Sequence, residues 1–159
     1  MVLRYATVFF VATVLATVAA LSVSAVEPSK AEAADTVETC GGGKIRLNAK
    51  EVRTLKLHNQ ARENRGIRGL CVHPKLTKAA RAHSARMIKK DYSGHGNVGR
   101  RLKRFDYNWR VCAENIAGGS GSDARPGNIF RRWMKSSVHR ANIFDSRFRE
   151  VGIGNATGT

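Results

Sequence analysis

Three side chains in this sequence have the types and surroundings from which a polar cleft could be built. Glu114 is set in the apolar segment of residues 111–117, and a carboxylate in apolar surroundings must be paired, hydrogen-bonded, metal-bound or neutralised. His95 stands between two glycines, where backbone can approach it closely, and His139 follows a predicted helix. If the two imidazoles and the carboxylate meet, they can bind a divalent ion such as zinc and leave positions open for water.

Functional and structural roles are both open for this trio of His95, Glu114 and His139. In a metal-assisted hydrolysis, the two histidines would hold the ion and Glu114 would be a ligand or the general base. In a structural role, the three side chains would form a hydrogen-bond network that only supports the fold. His83, on the apolar face of a predicted helix, and His58, beside polar neighbours, are interpreted as structural.

The N-terminus has the features of a secretory signal in the expected order. Arg4 supplies a positive charge, residues 5–26 are uncharged, and small-residue cleavage sites end at Ala25 and Ala33. An uncleaved anchor is the alternative, because the run approaches the roughly 20 residues that span a bilayer. We expect cleavage, which makes residues 1–34 a signal peptide and the protein secreted and extracellular, or else held at the cell envelope.

A strong excess of basic residues narrows the class of partner. The chain has 28 Lys and Arg residues against 12 Asp and Glu residues, a net charge of +16. Export argues against nucleic acid and favours anionic cell-wall polymers, lipid headgroups or acidic polysaccharides. The alternative is that the charge serves only solubility.

Three cysteines leave one unpaired if a disulfide bond forms, and an exported protein favours such a bond. All three pairings are open from the sequence. Cys40–Cys71 is favoured, because Cys40 lies in a Gly-rich arm, residues 35–47, that has no other means of attachment. Cys112 is then expected to be a buried small hydrophobe.

Helices are predicted over four segments that carry start or stop signals. These are residues 48–65, the run from Pro74 to a stop at Tyr92, residues 98–105 and residues 126–135. The first has Asn48 and Glu51 at capping-box spacing, and the second has Pro at its first position, where a missing N–H costs nothing. Asp123 is expected to cap the last helix.

Strands are predicted where apolar residues lack helical spacing. Residues 111–117 are expected to form a buried strand that carries Glu114, followed by a flexible loop over residues 118–122. Residues 150–156 are expected to form a second strand, in which Gly152 and Gly154 allow close backbone approach. Interleaved helices and few strands predict a layered α+β domain over residues 48–159.

Six segments resemble, in order, the motifs of a known family. They are residues 57–62 (LHNQAR), residues 76–87, His95, residues 113–117 (AENIA), Trp133 with residues 137–143 (SVHRANI), and residues 150–154 (EVGIG). The chain is thereby similar to bacterial members of the CAP superfamily, the SCP domains of cysteine-rich secretory proteins, antigen 5 and pathogenesis-related proteins.

The resemblance implies an αβα sandwich with a small three-stranded antiparallel sheet. It also implies that His95, Glu114 and His139 meet in a cleft that binds a divalent cation, often zinc, in some members. Family members are mostly secreted effectors or binders of lipids, sterols and glycans. The resemblance therefore favours a binding protein over an enzyme.

Among the departures of the sequence from the family pattern, two concern the acids of the cleft and the last strand. Animal and plant members have a second Glu after the helix that carries Trp133, whereas residues 134–137 here contain no acid. The family also continues into one more strand after Gly154, so either the sheet lacks its last strand or the sequence is incomplete. We expect a secreted, monomeric, non-enzymatic binder of an anionic envelope component, with metal-assisted hydrolase as the alternative.

Overall fold

A computed structural model describes residues 5–7 and residues 35–158. Both predicted cleavage sites, at Ala25 and Ala33, lie outside these ranges. In the described ranges, no helix is long and apolar enough to span a bilayer.

The first helix, α1 (Ala49–Glu63), begins and ends at the predicted signals. Asn48 Oδ1 accepts from the Glu51 backbone N–H at 2.9 Å, and Glu51 Oε2 accepts from the Asn48 N–H at 3.0 Å. This capping box satisfies two donors that the first turn leaves unpaired. Just beyond the helix, Gly66 has φ +67°, a conformation that glycine adopts without a Cβ penalty.

The next two helices also confirm the sequence analysis. α2 (Pro74–Lys89) has Pro at its start, and α3 (Val98–Arg104) begins after Asn97. The Asn97 Oδ1 accepts from the Arg100 N–H at 2.7 Å. α3 therefore starts at a fixed residue close behind His95.

The last two helices differ partly from the prediction. α4 (Pro126–Lys135) is confirmed, but its N-cap is Arg125, and Asp123 lies in a separate 3-10 turn, Gly121–Ala124. An unpredicted helix, α5 (Ser137–Phe144), follows Ser136, which has extended backbone angles of φ −85° and ψ 124°. His139 is therefore a helical residue.

The Gly-rich arm of residues 35–47, for which no strand was predicted, forms a β-hairpin. β2 (Asp35–Glu38) pairs antiparallel with β3 (Lys44–Leu47). Leu47, fully buried, packs with Val52 and Val72 in a core cluster. Burial of alternate residues stabilises a short strand, and this signal was masked by the neighbouring glycines.

The predicted disulfide bond attaches this hairpin to the domain. Cys40 and Cys71 are bonded, with Cα atoms 5.2 Å apart. Cys71 begins β4 (Cys71–Val72), which pairs parallel with β6 (Glu150–Val151). Cys112 is exposed, so its prediction as a buried hydrophobe was wrong.

The other strand predictions need correction. Residues 111–116 are irregular, and strand β5 (Ala117–Gly119) begins where a flexible loop was predicted. Residues 150–156 contain β6 and β7 (Asn155–Thr157), separated at residues 152–154. At that break, a Cβ on Gly152 or Gly154 would lie 2.1 Å from the backbone of α2. The predicted close approach is therefore confirmed.

The middle strand of the three-stranded antiparallel sheet comes from the N-terminal segment. β1 (Tyr5–Thr7) lies between β5 and β7 and pairs with both. Residues 5–7 belong to the predicted signal peptide, so the sheet contains a strand from a segment that the sequence analysis left out of the fold.

The helices pack around a core centred on Trp133. Ile129, Trp133, Ile143 and Ile153 form its buried cluster. α1, α4 and α5 pack on one another, whereas α2 packs along β1 and β7. The predicted α+β class is confirmed, and α2, α3 and α5 surround the segment that carries Glu114.

Candidate functional site

Glu114 is held by two partners that come from the other side of the cleft. His95 Nδ1 lies 2.9 Å from Glu114 Oε2, and the Arg101 guanidinium forms a short ion pair with Glu114 Oε1. The Glu114 side chain is 12% exposed and that of Arg101 is 13% exposed, whereas that of His95 is 49% exposed. The two oxygens of the carboxylate are thus shared between an imidazole and a guanidinium.

Local structure brings these three residues together. Gly96 has φ +57°, which turns the chain sharply between His95 and the start of α3. Arg101, in the middle of α3, then donates from Nη1 to the His95 carbonyl at 2.9 Å. This second bond fixes the guanidinium beside Glu114, so Arg101 connects both sides of the cleft.

His83, on α2, contacts the loop that leads to His95. It is buried in α2, and its Nε2 lies 3.0 Å from the Gly94 carbonyl and 4.0 Å from Glu114 Oε2. The pKa of His83 is lowered, mainly by burial and to a lesser degree by the charge of Arg101. His83 is therefore a neutral donor that fixes the loop before His95, as its structural interpretation predicted.

His139 does not complete a trio on Glu114 in this arrangement. Its ring lies 6.5 Å from the Trp133 ring, and its carbonyl accepts from Asn115 Nδ2 at 3.0 Å. Burial and, to a lesser degree, the nearby His95 lower its pKa. The structure therefore places His139 near His95 but gives its ring no hydrogen bond to Glu114 among the described residues.

Two features of the site were missed by the sequence analysis. Arg101 lies in the predicted helix over residues 98–105, and nothing in the sequence separates it from Arg100. Asn115 joins Glu114's segment to α5, since its Oδ1 accepts from Asn142 Nδ2 at 2.9 Å. Asn115 and Asn142 could have been found from the family motifs, because Asn115 follows Glu114 in residues 113–117 and Asn142 follows His139 in residues 137–143.

The remaining helical histidine and its neighbours are structural. His58 is buried against the rings of Phe130 and Trp133, at 5.1 and 6.2 Å. Its burial lowers its pKa well below the usual value. Asn59 pairs with the backbone of Leu70 through both a donor and an acceptor, at 2.9 and 2.8 Å. These contacts agree with the structural interpretation of His58.

A cavity of about 320 Å³ lies next to the Glu114 cluster. Apolar residues line it, among them Leu70, Leu76, Leu102 and Val151. Four arginines also line it, from α3 and two irregular segments; they are Arg101, Arg110, Arg147 and Arg149. The cavity size is at the lower end of the range for small-molecule sites, and its lining suits a ligand with an apolar part and an anionic group.

Comparison with known proteins decides the family. The sequence model of the family described as "Cysteine-rich secretory protein family" (CAP) matches residues 55–159. The chain belongs to the CAP family. This CAP domain is also 32% identical, over 132 residues, to the "Uncharacterized protein YkwD" of Bacillus subtilis (strain 168). The match covers 79% of this chain and 50% of the relative, so the chain spans about half the length of that protein.

Two solved structures show the same fold as this CAP domain. One is an extracellular protein containing a SCP domain from Bacillus anthracis str. Ames, with a TM-score of 0.59 and 22% identity, covering 71% of this chain and 43% of that one. The other is a cysteine-rich secretory protein from Staphylococcus aureus subsp. aureus Mu50, with a TM-score of 0.50 and 15% identity, covering 72% and 41%. At these identities the likeness concerns the fold alone.

The predicted zinc site can be tested against this geometry. A zinc ion needs a carboxylate oxygen and imidazole nitrogens turned toward one point. In residues 35–158, no three His, Cys, Asp or Glu side chains are placed to hold a metal ion. Because Glu114 is bonded to Arg101 and His95, the residues as they stand do not fit a zinc ion, and no hydrolytic step through a metal can be derived.

Proposed function

We propose that this CAP domain acts outside the cytoplasm as a non-enzymatic binder of an anionic, phosphate-bearing component of the cell envelope. The observation that carries the proposal is the arginine lining of the apolar cavity next to Glu114. Arginine is suited to such a ligand, because its planar fork binds phosphate oxygens in pairs.

Three of the four arginines at the cavity are accessible. Arg110, Arg147 and Arg149 are exposed, so an incoming anion reaches them without opening the fold. Arg147 pairs with Asp145, and this hydrogen-bonded pairing lowers the pKa of Asp145 to about 2. The acid near the opening is thus already neutralised by its own partner.

Glu114 and Glu150, the acids that line the cavity, are also engaged, Glu114 by Arg101. Glu150 accepts from the Tyr107 hydroxyl at 2.6 Å, and burial followed by this bond raises the Tyr107 pKa. The attraction of anions to the cavity mouth therefore comes from the exposed Arg110 and Arg149 and from the net charge of +16.

The extracellular location is part of the proposal. It is supported by the signal-like N-terminus, the Cys40–Cys71 bond and the description of one solved relative as an extracellular protein. Disulfide bonds persist in oxidising compartments outside the cytoplasm. Such a location places the basic surface among wall polymers and lipid headgroups.

Vesicle co-sedimentation tests the proposal. Vesicles of phosphatidylcholine alone are compared with vesicles that also contain phosphatidylglycerol, at low and physiological salt, with soluble polyphosphate as competitor. We expect binding only to the anionic vesicles, weakening steeply with salt, because the Debye length shrinks to about 8 Å at physiological ionic strength. Competition by polyphosphate would identify the phosphate group, and its absence would point to the lipid as a whole.

A matched pair of double variants separates the cavity from the net charge. Arg110→Gln/Arg149→Gln removes two charges at the cavity, and Arg53→Gln/Lys56→Gln removes two from exposed positions on α1. Only the first is expected to weaken binding by about tenfold or more, the scale of one lost charge-assisted contact. Equal losses in both variants, binding that is insensitive to salt, or no binding to either anion would contradict the proposal.

A further inference from the structure

We propose that Arg101 is the built-in counter-ion of Glu114 and takes the place of a divalent cation in the His95 cleft. Zinc binding in the cleft is then weak, and it becomes tighter when Arg101 is removed. This inference concerns the Arg101–Glu114 pair, whose two residues also line the cavity, and it makes no use of the ligand proposed there.

The first argument is that the carboxylate has no oxygen left for an ion. Oε2 is bonded to His95 Nδ1 at 2.9 Å, and Oε1 is paired with Arg101. With the Glu114 side chain only 12% exposed, a metal would have to displace one of these partners. Ion pairs withdrawn from water in this way are costly to break from one side.

The second argument is that the guanidinium cannot leave easily. Arg101 donates to the His95 carbonyl at 2.9 Å in addition to Glu114. Its backbone is held in α3, where Arg101 N donates to the Asn97 carbonyl at 3.1 Å. Several anchors therefore keep the charge on Glu114, in contrast to the neighbouring Arg100, which is exposed.

The third argument concerns the field in the cleft. His83 Nε2 lies 4.0 Å from Glu114 Oε2, and the Arg101 guanidinium already supplies one positive charge at the carboxylate. A second, divalent charge would meet repulsion from Arg101 at close range. Removing the guanidinium lifts this repulsion and frees Oε1 at the same time.

Zinc titration by calorimetry tests the inference on the full chain. The proteins are the wild type, Arg101→Gln and the adjacent control Arg100→Gln. We expect Arg101→Gln to bind zinc about 10- to 100-fold more tightly than the other two, the scale on which groups next to metal ligands alter affinity. The gain should disappear in Arg101→Gln/His95→Ala.

Several outcomes would overturn the inference. They are wild-type zinc binding that depends on His95 and is as tight as that of Arg101→Gln, an equal gain in Arg100→Gln, and the lack of any gain in a folded Arg101→Gln. Should Arg101→Gln fail to fold, zinc is titrated into the wild type while the His95 imidazole signals are followed by NMR. Unchanged signals support the inference, and a saturable shift overturns it.

Discussion

Individual arginines have two different roles in this molecule. Most contribute to the surface charge, but Arg62 is fully buried. Its guanidinium donates to four backbone carbonyls, those of Arg68, Ile143, Asp145 and Phe148, at 2.8–3.1 Å. One side chain thus holds the end of α5 and the segment that leads to β6, on which Arg147 and Arg149 stand.

Replacing Arg62 should therefore destabilise the fold. Arg62→Met keeps much of the apolar stem but removes the donor from one buried and three partly buried carbonyls, and a buried carbonyl left unpaired costs about 1–3 kcal/mol. We expect a loss of at least about 3 kcal/mol in the free energy of unfolding, measured by urea denaturation. Arg53→Met, exposed on the same helix, should change it by less than about 0.5 kcal/mol. Similar losses in both variants would refute this role.

His58 should make the folded state sensitive to acid. Burial lowers its pKa well below the usual value, so the unfolded chain binds more protons than the folded protein near pH 6. Stability is then complete above the unfolded pKa and falls as pH drops through it, by up to about 1.4 kcal/mol per pH unit for one histidine. Unfolding free energies between pH 7.5 and 5 should fall less steeply in His58→Gln, and an unchanged slope would exclude His58 as the source.

Only some residues of the site could be predicted from the sequence. Glu114 and His95 are identifiable because an acid in an apolar segment and a His between glycines are unusual locally. Arg101 is not, since Arg100 and Arg101 are adjacent and identical in type. Only the start of α3 at Asn97 determines which of them reaches Glu114, and this orientation depends on tertiary structure.

Helices and strands differed in how far the sequence predicted them. The boundaries of α1, α2 and α3 were predictable because caps and glycine stops are local signals. β5 and β6 have three and two residues, and they exist only through pairing with distant segments. Residues 111–116 look like a strand by composition, but no neighbouring strand pairs with them in the described ranges, so they remain irregular.

The contact between α2 and the β6–β7 break gives a prediction at this scale. In Gly154→Ala, the new Cβ would lie 2.1 Å from the Arg81 nitrogen, and backbone cannot move aside as a flexible side chain can. We expect a loss of about 3 kcal/mol in the unfolding free energy. Gly41→Ala is the control, because a Cβ there meets nothing within 4 Å. A Gly154→Ala protein as stable as this control would contradict the packing.

At the scale of the whole molecule, the disulfide bond attaches the N-terminal hairpin to the rest of the domain. It joins β2–β3 to β4 across 31 residues. Cross-linking a loop of this length removes entropy from the unfolded chain worth about 3–4 kcal/mol. The hairpin also contributes the buried Leu47 to the core.

Removal of this bond should lower the thermal stability. Cys40→Ser/Cys71→Ser should unfold at a temperature at least about 10 °C lower, given the entropy term and the size of the domain. Cys112→Ser should not, because Cys112 is exposed and unbonded. Equal melting temperatures for the double variant and the wild type would show that the hairpin packs without its cross-link.

Because β1 lies in the predicted signal peptide, the sheet keeps its middle strand only if the N-terminus is not cleaved. Tyr5–Thr7 are hydrogen-bonded on both sides, to β5 and to β7. If a signal peptidase cuts at either predicted site, this strand leaves the chain, and β5 and β7 face each other across a gap of roughly 10 Å, two strand spacings. The precursor would then have β1 between β5 and β7, and the processed protein would lack it. Processing would open a slot one strand wide, into which an extended peptide of another molecule can add by β-strand pairing.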